Sequence, residues 1–288
     1  MLTSYHYHTL TDGPHLLITG AVHGNEPCGT EAIMRLISQI ENKAINLQRG
    51  TLTLIPICNP EAYKQNKRFI DRNLNRSLYP KAEYIHYEDR IDPILCDYLT
   101  KADILLDLHS YASQGGAFGF MGHYSAEEIE YCLSLGIENF VYGWSDAFQN
   151  SDADPREAMG MTEYARSKGA IAVTIECGQH LNKDAPDIAY DTILHALSYC
   201  KMIENPIPLP KILHKFVQMR DVFSKEKAGS FAQPWKHCDM FQKGDILAEY
   251  DDKTKIIAPY DGVIVLPKLS ANIGKEWFYI GQMTECPD

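Results

Sequence analysis

Short apolar runs that end at a polar side chain constrain the fold of this chain more than any other feature. The runs 16–23 and 102–109 each end at a histidine, and the run 170–176 ends at a glutamate. A fourth run, 51–57, is apolar almost throughout. Continuous apolar runs of this length are typical of strands that helices cover on both faces. The sequence therefore predicts an α/β fold, and open α/β sheets place their sites where such strands end.

Helical patterns separate these strands. After Pro27, which fits the first turn of a helix, Ile33, Leu36, Ile37 and Ile40 recur at helical spacing. Further helices are predicted over 91–99, 127–135, 162–168 and 187–203. An Asp12-Gly13 turn between residues 5–8 and 16–21 also predicts a β-hairpin at the start of the chain.

Composition changes at residues 205–210, where prolines alternate with other residues and favour an extended connector. Short strand-like pieces separated by Gly, Pro and Asp follow, for example over 256–265. We therefore predict two domains: an α/β domain over 1–205 and a smaller all-β domain over 206–288.

Charge and cysteine content exclude several classes of function. The net charge of −11 and a pI of about 5.4 disfavour a nucleic-acid partner, which basic side chains would have to bind. The apolar runs are far shorter than the ~20 residues of a membrane helix, and we expect neither a signal peptide nor a membrane partner. The eight cysteines are scattered, which favours reduced thiols and a cytoplasmic location.

Two histidines and one carboxylate at these strand ends form a candidate metal site. His23 and Glu26 lie three residues apart, and His109 ends the second histidine run. Two histidines and a carboxylate are a common ligand set for a catalytic zinc with an open fourth position. The alternative is that His109 is a hydrogen-bonded core residue. Asp107, two residues earlier on the same strand face, is either its partner or an ordinary buried carboxylate.

Other polar residues could complete such a site, although each also has an ordinary explanation. Glu176 would be costly to bury without a partner, but carboxylates at strand ends are often solvated. Arg68, Asn73, Asn75 and Arg76 would suit any surface loop. Their residue types alone do not decide between these readings.

Four motifs in this order resemble the succinylglutamate desuccinylase/aspartoacylase family, a branch of the zinc carboxypeptidase-like fold. They are His-Gly-Asn-Glu at 23–26, the segment 68–76, Asp-Leu-His-Ser at 107–110 and Thr-Ile-Glu-Cys-Gly at 174–178, and the resemblance covers roughly residues 15–200. It implies a mixed sheet flanked by helices and hydrolysis of a small N-acyl amino acid or related amide.

The resemblance also implies the role of each site residue. One zinc ion per chain would be bound by His23, Glu26 and His109. Glu176 would act as the general base, and Arg68 would polarise the scissile carbonyl. Asn75 and Arg76 would bind the carboxylate of the substrate. These roles agree with zinc-assisted attack of water on an amide.

The chain departs from the family pattern at several positions. Asn73 replaces the usual aspartate, so it could accept an imidazole N–H bond but would bring no charge. In aspartoacylases proper, an arginine ahead of the base and a C-terminal tyrosine also bind carboxylate. Arg166 has the right spacing, but we expect its helix to leave it facing solvent. No tyrosine matches, and Asn272 lies where one is expected.

Three alternatives stay open. The first is a zinc carboxypeptidase or an amidase acting on a peptide or peptidoglycan fragment. The second is a carrier module, because residues 257–264 resemble biotinyl- and lipoyl-carrier strands, although no exposed-lysine hairpin follows them. The third is an inactive member with a binding role. The acyl group, the amino acid and a homo-oligomeric assembly are also left open by the sequence.

Overall fold

The computed structural model describes residues 1–122, 125–149, 155–208 and 211–287. The strands in this part of the chain are β1 (Tyr5–His8), β2 (His15–Gly20), β3 (Thr51–Ile55), β4 (Ile104–Tyr111), β5 (Phe118–Met121), β6 (Asn139–Tyr142), β7 (Ile171–Gln179), β8 (Lys215–Ser224), β9 (Gly229–Phe231), β10 (Met240–Phe241), β11 (Ile246–Tyr250), β12 (Lys255–Ile257), β13 (Gly262–Val265) and β14 (Glu276–Thr284). The α-helices are α1 (Cys28–Glu41), α2 (Pro60–Lys64), α3 (Asp92–Lys101), α4 (Ala126–Leu133), α5 (Trp144–Gln149), α6 (Met161–Ser167) and α7 (Ala185–Tyr199). Among these described helices, none has the length and apolar character needed to cross a membrane.

Most strands join one mixed sheet of eleven strands, in the order β1-β3-β2-β4-β7-β5-β6-β8-β14-β13-β10. The central strands β3, β2, β4 and β7 are parallel, and β5 runs antiparallel to β7. A separate antiparallel sheet contains β12, β11 and β9. The predicted fold class, a mixed α/β sheet flanked by helices with smaller β structure at the C-terminus, is confirmed.

Alternate side chains of the central strands enter two different cores, because successive residues of a strand point to opposite faces. Leu16 and Ile18 of β2 pack with α1, α4 and α7, whereas Leu17 packs with α3 and α6. Both faces of the central strands are therefore covered by helices. This explains why the sequence of these strands is apolar at nearly every position.

The C-terminal strands continue the large sheet. β8 pairs in parallel with β6, and β14 and β13 follow β8 as antiparallel neighbours. Trp235, Trp277 and Phe278 lie in a further apolar core of this region. The division into domains 1–205 and 206–288 stays a prediction.

The predicted N-terminal hairpin is wrong. β1 pairs with β3 and not with β2, because β3 lies between them in the sheet. A two-residue type I′ turn needs positive φ at both central residues, and neither Asp12 nor Gly13 has it. The Asp-Gly pair therefore belongs to a longer connection.

Candidate active site

His23, Glu26 and His109 converge in the interior, although His109 is distant from the other two in sequence. One potential ligand atom from each lies within 4.8 Å of the others, and all three residues are buried. The Glu26 carboxylate lies between the two rings, with Oε1 3.0 Å from His23 Nδ1 and Oε2 2.9 Å from His109 Nδ1. This His–Glu–His triad could bind a metal ion.

The other nitrogen of each imidazole has its own polar partner. His23 Nε2 is 2.9 Å from Asn73 Oδ1, and His109 Nε2 is 2.8 Å from Asp107 Oδ2. Asp107 in turn accepts a hydrogen bond from Thr19 Oγ1 at 2.7 Å. Partners of this kind fix the orientation of ligand histidines, so both Nδ1 atoms are held towards the same point.

The two imidazole nitrogens and the carboxylate oxygen of this triad are ligand atoms that fit a cation such as zinc. His23 Nδ1 is buried and has no hydrogen-bond partner among the described residues, despite its short distance to Glu26. Burial lowers the pKa of His23 to about 4, so its ring is neutral at pH 7, which is the form that binds metals. Burial would also lower the pKa of His109, but Asp107 and Glu26 raise it well above its usual value.

Gly24 allows the 23–26 turn to lie directly against α2. A Cβ atom at this position would be 2.1 Å from the carbonyl carbon of Ala62. The Gly24 N–H also donates to Arg68 O at 3.2 Å. Glycine is needed here for this close approach rather than for a left-handed conformation, since its φ is not positive.

Glu176 lies beside the triad because of the sheet register. Its Cα is the direct partner of His109 on the parallel pair β4 and β7. Only 8% of Glu176 is exposed, and Oε2 has no hydrogen-bond partner in the part of the chain that the structure describes. Burial raises the pKa of this carboxyl to about 8, opposed by the charges of His109 and Arg68.

A buried carboxylate holds the segment 68–76 in place. Glu88, which is fully buried, accepts backbone N–H bonds from Ile70, Asp71 and Arg72 at 2.7–3.2 Å. It also accepts a bond from the side-chain amide of Asn59 at 3.2 Å. This carboxylate therefore fixes the backbone that carries several of the predicted site residues.

Arg72 adds a second anchor for the same segment. Its guanidinium bonds to Asp89 at 2.7 Å and to Asp92, and it donates to the carbonyl oxygens of Asn73 and Arg76. These carboxylates belong to the start of α3 and to the 3₁₀ turn before it. Arg72 therefore connects the segment 68–76 to Asp89 and Asp92 and also bonds to carbonyl oxygens of the segment itself.

Arg68, Asn75 and Arg76 all line one cleft together with His23, His109 and Glu176. Arg68 Nη1 bonds to Glu26 Oε1 at 2.7 Å. Asn75 accepts a bond from the Met161 N–H at 2.8 Å. The structure therefore brings together every predicted site residue, while their individual roles stay predictions.

The C-terminal region completes this cleft. Leu266, Lys268, Glu276 and Tyr279 line it from that side. Glu276 bonds to Lys268 at 2.6 Å and to the Tyr279 hydroxyl at 2.5 Å, and lies 3.5 Å from Arg76 Nη2. Sequence reasoning missed these residues.

The comparisons with known proteins identify the family of the chain. Residues 12–199 match the model of the succinylglutamate desuccinylase/aspartoacylase catalytic domain. The chain belongs to this family. A succinylglutamate desuccinylase from Shewanella denitrificans is 24% identical, over 90% of this chain and 79% of its own length. An N-alpha-acetyl-L-2,4-diaminobutyric acid deacetylase from Halomonas elongata is 22% identical, over 95% and 84%.

Solved structures of similar proteins share the fold. The product-bound ectoine utilization protein EutE (DoeB) from Ruegeria pomeroyi superposes with a TM-score of 0.76 at 20% identity, covering 97% of this chain and 88% of its own. A succinylglutamate desuccinylase/aspartoacylase from Rhodobacter sphaeroides gives 0.75 at 18% identity, over 96% and 87%.

The structure changes the interpretation of two positions at which the sequence departs from the family pattern. Arg166 does not face solvent as expected: its side chain is 13% exposed and lines the cleft. Asn272 is exposed, whereas Tyr279 is fully buried and lines the cleft. A tyrosine near the C-terminus therefore does line the cleft, at Tyr279.

Proposed function

We propose that this protein is a zinc-dependent deacylase that hydrolyses the amide bond of an N-acyl amino acid or a similar small carboxylate-bearing amide. The observation that carries this proposal is the buried His–Glu–His triad beside Glu176, whose Oε2 has no hydrogen-bond partner among the residues that the structure describes. The family of the chain supports it, as do relatives named as a desuccinylase and a deacetylase of acyl amino acids.

The zinc ligands would be His23, Glu26 and His109. A zinc ion at this triad would supply Lewis acidity, polarising the amide carbonyl and lowering the pKa of water to about 7. Glu176 would take a proton from the attacking water and return it to the leaving amine. Burial raises the pKa of Glu176 to about 8, and the positive charge of a zinc ion beside it would lower that pKa and favour the ionised form that accepts a proton.

The arginines of the segment 68–76 would bind the polar ends of the substrate. Arg68, whose side chain is 41% exposed, can donate to the oxygen on which negative charge develops during attack. Arg76 can bind a carboxylate with two parallel N–H bonds, and the Asn75 amide adds a donor beside it.

A cytoplasmic location belongs to this proposal as well. All eight cysteines are free thiols in the structure, and six of them are buried. Free thiols of this kind are typical of proteins in a reducing compartment. A homo-oligomer stays open, and neither nucleic acid nor a membrane is a proposed partner.

The test is hydrolysis of a panel of N-acyl amino acids by the zinc-loaded protein, with zinc measured by elemental analysis. We expect one zinc per chain and release of the free amino acid. Glu176→Gln serves as the matched control, because it retains the side-chain shape without the base. Cleavage of peptides without hydrolysis of any N-acyl amino acid would favour the carboxypeptidase alternative. Zinc-independent turnover would overturn the proposal.

A further inference from the structure

Four cleft-lining residues form a continuous apolar surface. They are Phe120, Trp144, Leu266 and Tyr279. The centroid of the Trp144 ring is 5.5 Å from that of Phe120 and 5.4 Å from that of Tyr279. All four side chains belong to one apolar cluster, and the Tyr279 hydroxyl is bonded to Glu276. We call this surface the apolar wall of the cleft.

The apolar wall is the accessible edge of a packed core. Behind it lie buried side chains such as Val141 of β6 and Val217 of β8. Phe120, Trp144 and Leu266 are only partly buried, so they present apolar area to the cleft. A ligand group that covers this area removes it from water, which is favourable when the group is itself apolar.

Leu266 is held in the wall by the surrounding structure. Its backbone N–H donates to His237 Nδ1 at 3.3 Å, and the His237 ring stacks on Phe118 with centroids 3.9 Å apart. Leu266 has a φ of 48°, in the left-handed region that glycine and asparagine adopt far more readily than leucine. Leucine is therefore conformationally unfavourable here, and its apolar side chain on the cleft is the feature that glycine or asparagine would lack.

The apolar wall lies beside the groups proposed to bind and cleave the substrate. Phe120 on β5 is the direct partner of Thr174 on β7, two residues before Glu176 and on the same face of the sheet. The Arg76 guanidinium lies over the Trp144 ring, 4.7 Å from its centroid. If Arg76 binds the α-carboxylate, the Cα atom of the amino acid lies close to Trp144. The side chain attached to that carbon then reaches the apolar wall.

Charged groups elsewhere in the cleft already have protein partners. Arg166 Nε is 3.0 Å from Glu128 Oε2. Lys268 Nζ is 2.6 Å from Glu276 Oε2. A charged substrate side chain would have to compete with these ion pairs, whereas an apolar side chain can cover the wall and leave them intact.

We propose that the apolar wall binds the side chain of the amino acid, so that the enzyme prefers N-acyl amino acids whose side chain is apolar. This inference rests on the proposed deacylase function and adds the class of amino acid to it. It excludes a preference for a charged side chain.

The experiment compares three acetylated amino acids of similar size: N-acetyl-L-methionine, N-acetyl-L-glutamine and N-acetyl-L-glutamate. They share the acyl group and the α-carboxylate and differ in the polarity of the side chain. Binding to the zinc-loaded Glu176→Gln protein is measured by titration calorimetry, so that affinity does not depend on turnover. We expect the methionine derivative to bind at least about 10-fold more tightly than either of the others, or about 1.4 kcal/mol.

Leu266→Asn in the same background tests the wall itself. Asparagine is similar to leucine in size and is tolerated at positive φ, so the backbone of this loop is retained. We expect the ratio of the methionine affinity to the glutamine affinity to fall by about 5-fold or more, because apolar area is lost from the wall. Leu266→Met keeps an apolar side chain and should retain the ratio. Leu10→Asn is the matched control, because Leu10 is exposed and lies outside the cleft lining.

Several results would overturn the inference. They are equal binding of the methionine and glutamine derivatives, tighter binding of the glutamate derivative, failure of all three to bind, and an unchanged ratio in Leu266→Asn. A hexanoyl group in place of the acetyl group of the glutamine derivative tests the other end of the substrate. If this group tightens binding while the methionine side chain does not, the wall binds the acyl group and the inference is wrong.

The outcomes also separate this inference from the proposed function. If the methionine derivative binds best and the ratio depends on Leu266, but the zinc-loaded parent hydrolyses none of the three, the side-chain preference stands and the deacylase proposal fails. If the parent hydrolyses the glutamate derivative and also binds it best, the deacylase proposal stands and the inference fails.

Discussion

His109 and Glu176 are direct cross-strand partners on the parallel strands β4 and β7. Their separation is therefore fixed by backbone hydrogen bonding and does not depend on a flexible loop. A register slip of one residue would turn the side chains of one strand to the opposite face of the sheet. A slip of β4 would also separate the buried Asp107 carboxylate from its donor Thr19 on β2, and leaving such a group unpaired is costly.

Zinc binding should require both histidines of the triad. We expect His23→Ala and His109→Ala to lose stoichiometric zinc, because each leaves only two of the three protein ligands. Elemental analysis of the purified proteins measures this directly. His8→Ala is a suitable control, since His8 is exposed on β1, and it should keep one zinc per chain. Full occupancy in both triad variants would rule out this ligand set.

Glu176→Gln should separate metal binding from catalysis. The variant keeps the size of the side chain but removes its basicity, so we expect zinc to be retained. Turnover should fall by at least about 100-fold, the usual scale for loss of a general base. Steady-state kinetics on a hydrolysed N-acyl amino acid gives the comparison. Activity close to that of the parent would show that the base is a different residue.

Local sequence patterns were sufficient for the parts of the site that lie at strand ends. The apolar runs before His23, His109 and Glu176 indicated buried strands, and the carboxyl ends of parallel strands meet at one edge of the sheet. β4 and β7 nevertheless extend past His109 and Glu176, to Tyr111 and Gln179. The Asp12-Gly13 hairpin failed because strand pairing is a long-range property. β3, far along the chain, pairs with β1 and β2 and so separates them.

Long-range packing also explains the missed cleft residues. Glu276 and Tyr279 are three apart, so a regular strand would place them on opposite faces. The pairing of β14 with β8 is irregular between Glu276 and Phe278, and the two side chains meet in one hydrogen bond. The local sequence does not predict this irregularity. The C-terminal tyrosine expected from the family resemblance was a signal that could have directed attention to Tyr279.

Glu88→Gln should weaken the structure that supports the segment 68–76. The change removes the charge that accepts three backbone N–H bonds and sets an amide donor against them. We expect the free energy of unfolding to fall by about 1.5–3 kcal/mol, the scale of a hydrogen bond to a charged group. Urea denaturation measures this, and the exposed Glu83→Gln should stay within about 0.5 kcal/mol of the parent. An unchanged midpoint for Glu88→Gln would contradict this role.

Glu276 should contribute stability that depends on pH. Burial alone would raise the pKa of Glu276, but Arg76, Lys268 and the Tyr279 hydroxyl hold it well below its ordinary value. The stabilisation is then fully present above the unfolded pKa of about 4.3, and is lost as the pH falls towards the folded pKa. Parent and Glu276→Gln should therefore differ in unfolding free energy at neutral pH and converge below about pH 4. A difference that widens in acid would contradict this assignment.

Arg76→Lys should show whether Arg76 binds the carboxylate of the substrate. The planar guanidinium can form two parallel bonds to a carboxylate, which a lysine point charge cannot reproduce. We expect a higher KM or a lower kcat/KM, equivalent to about 1.5–3 kcal/mol for a lost charge-assisted bond. The same substitution should have little effect on a substrate whose carboxylate has been converted to a neutral amide. If acid and amide lose activity equally, Arg76 acts by holding its contacts with Glu276 and Trp144, and the carboxylate is bound elsewhere.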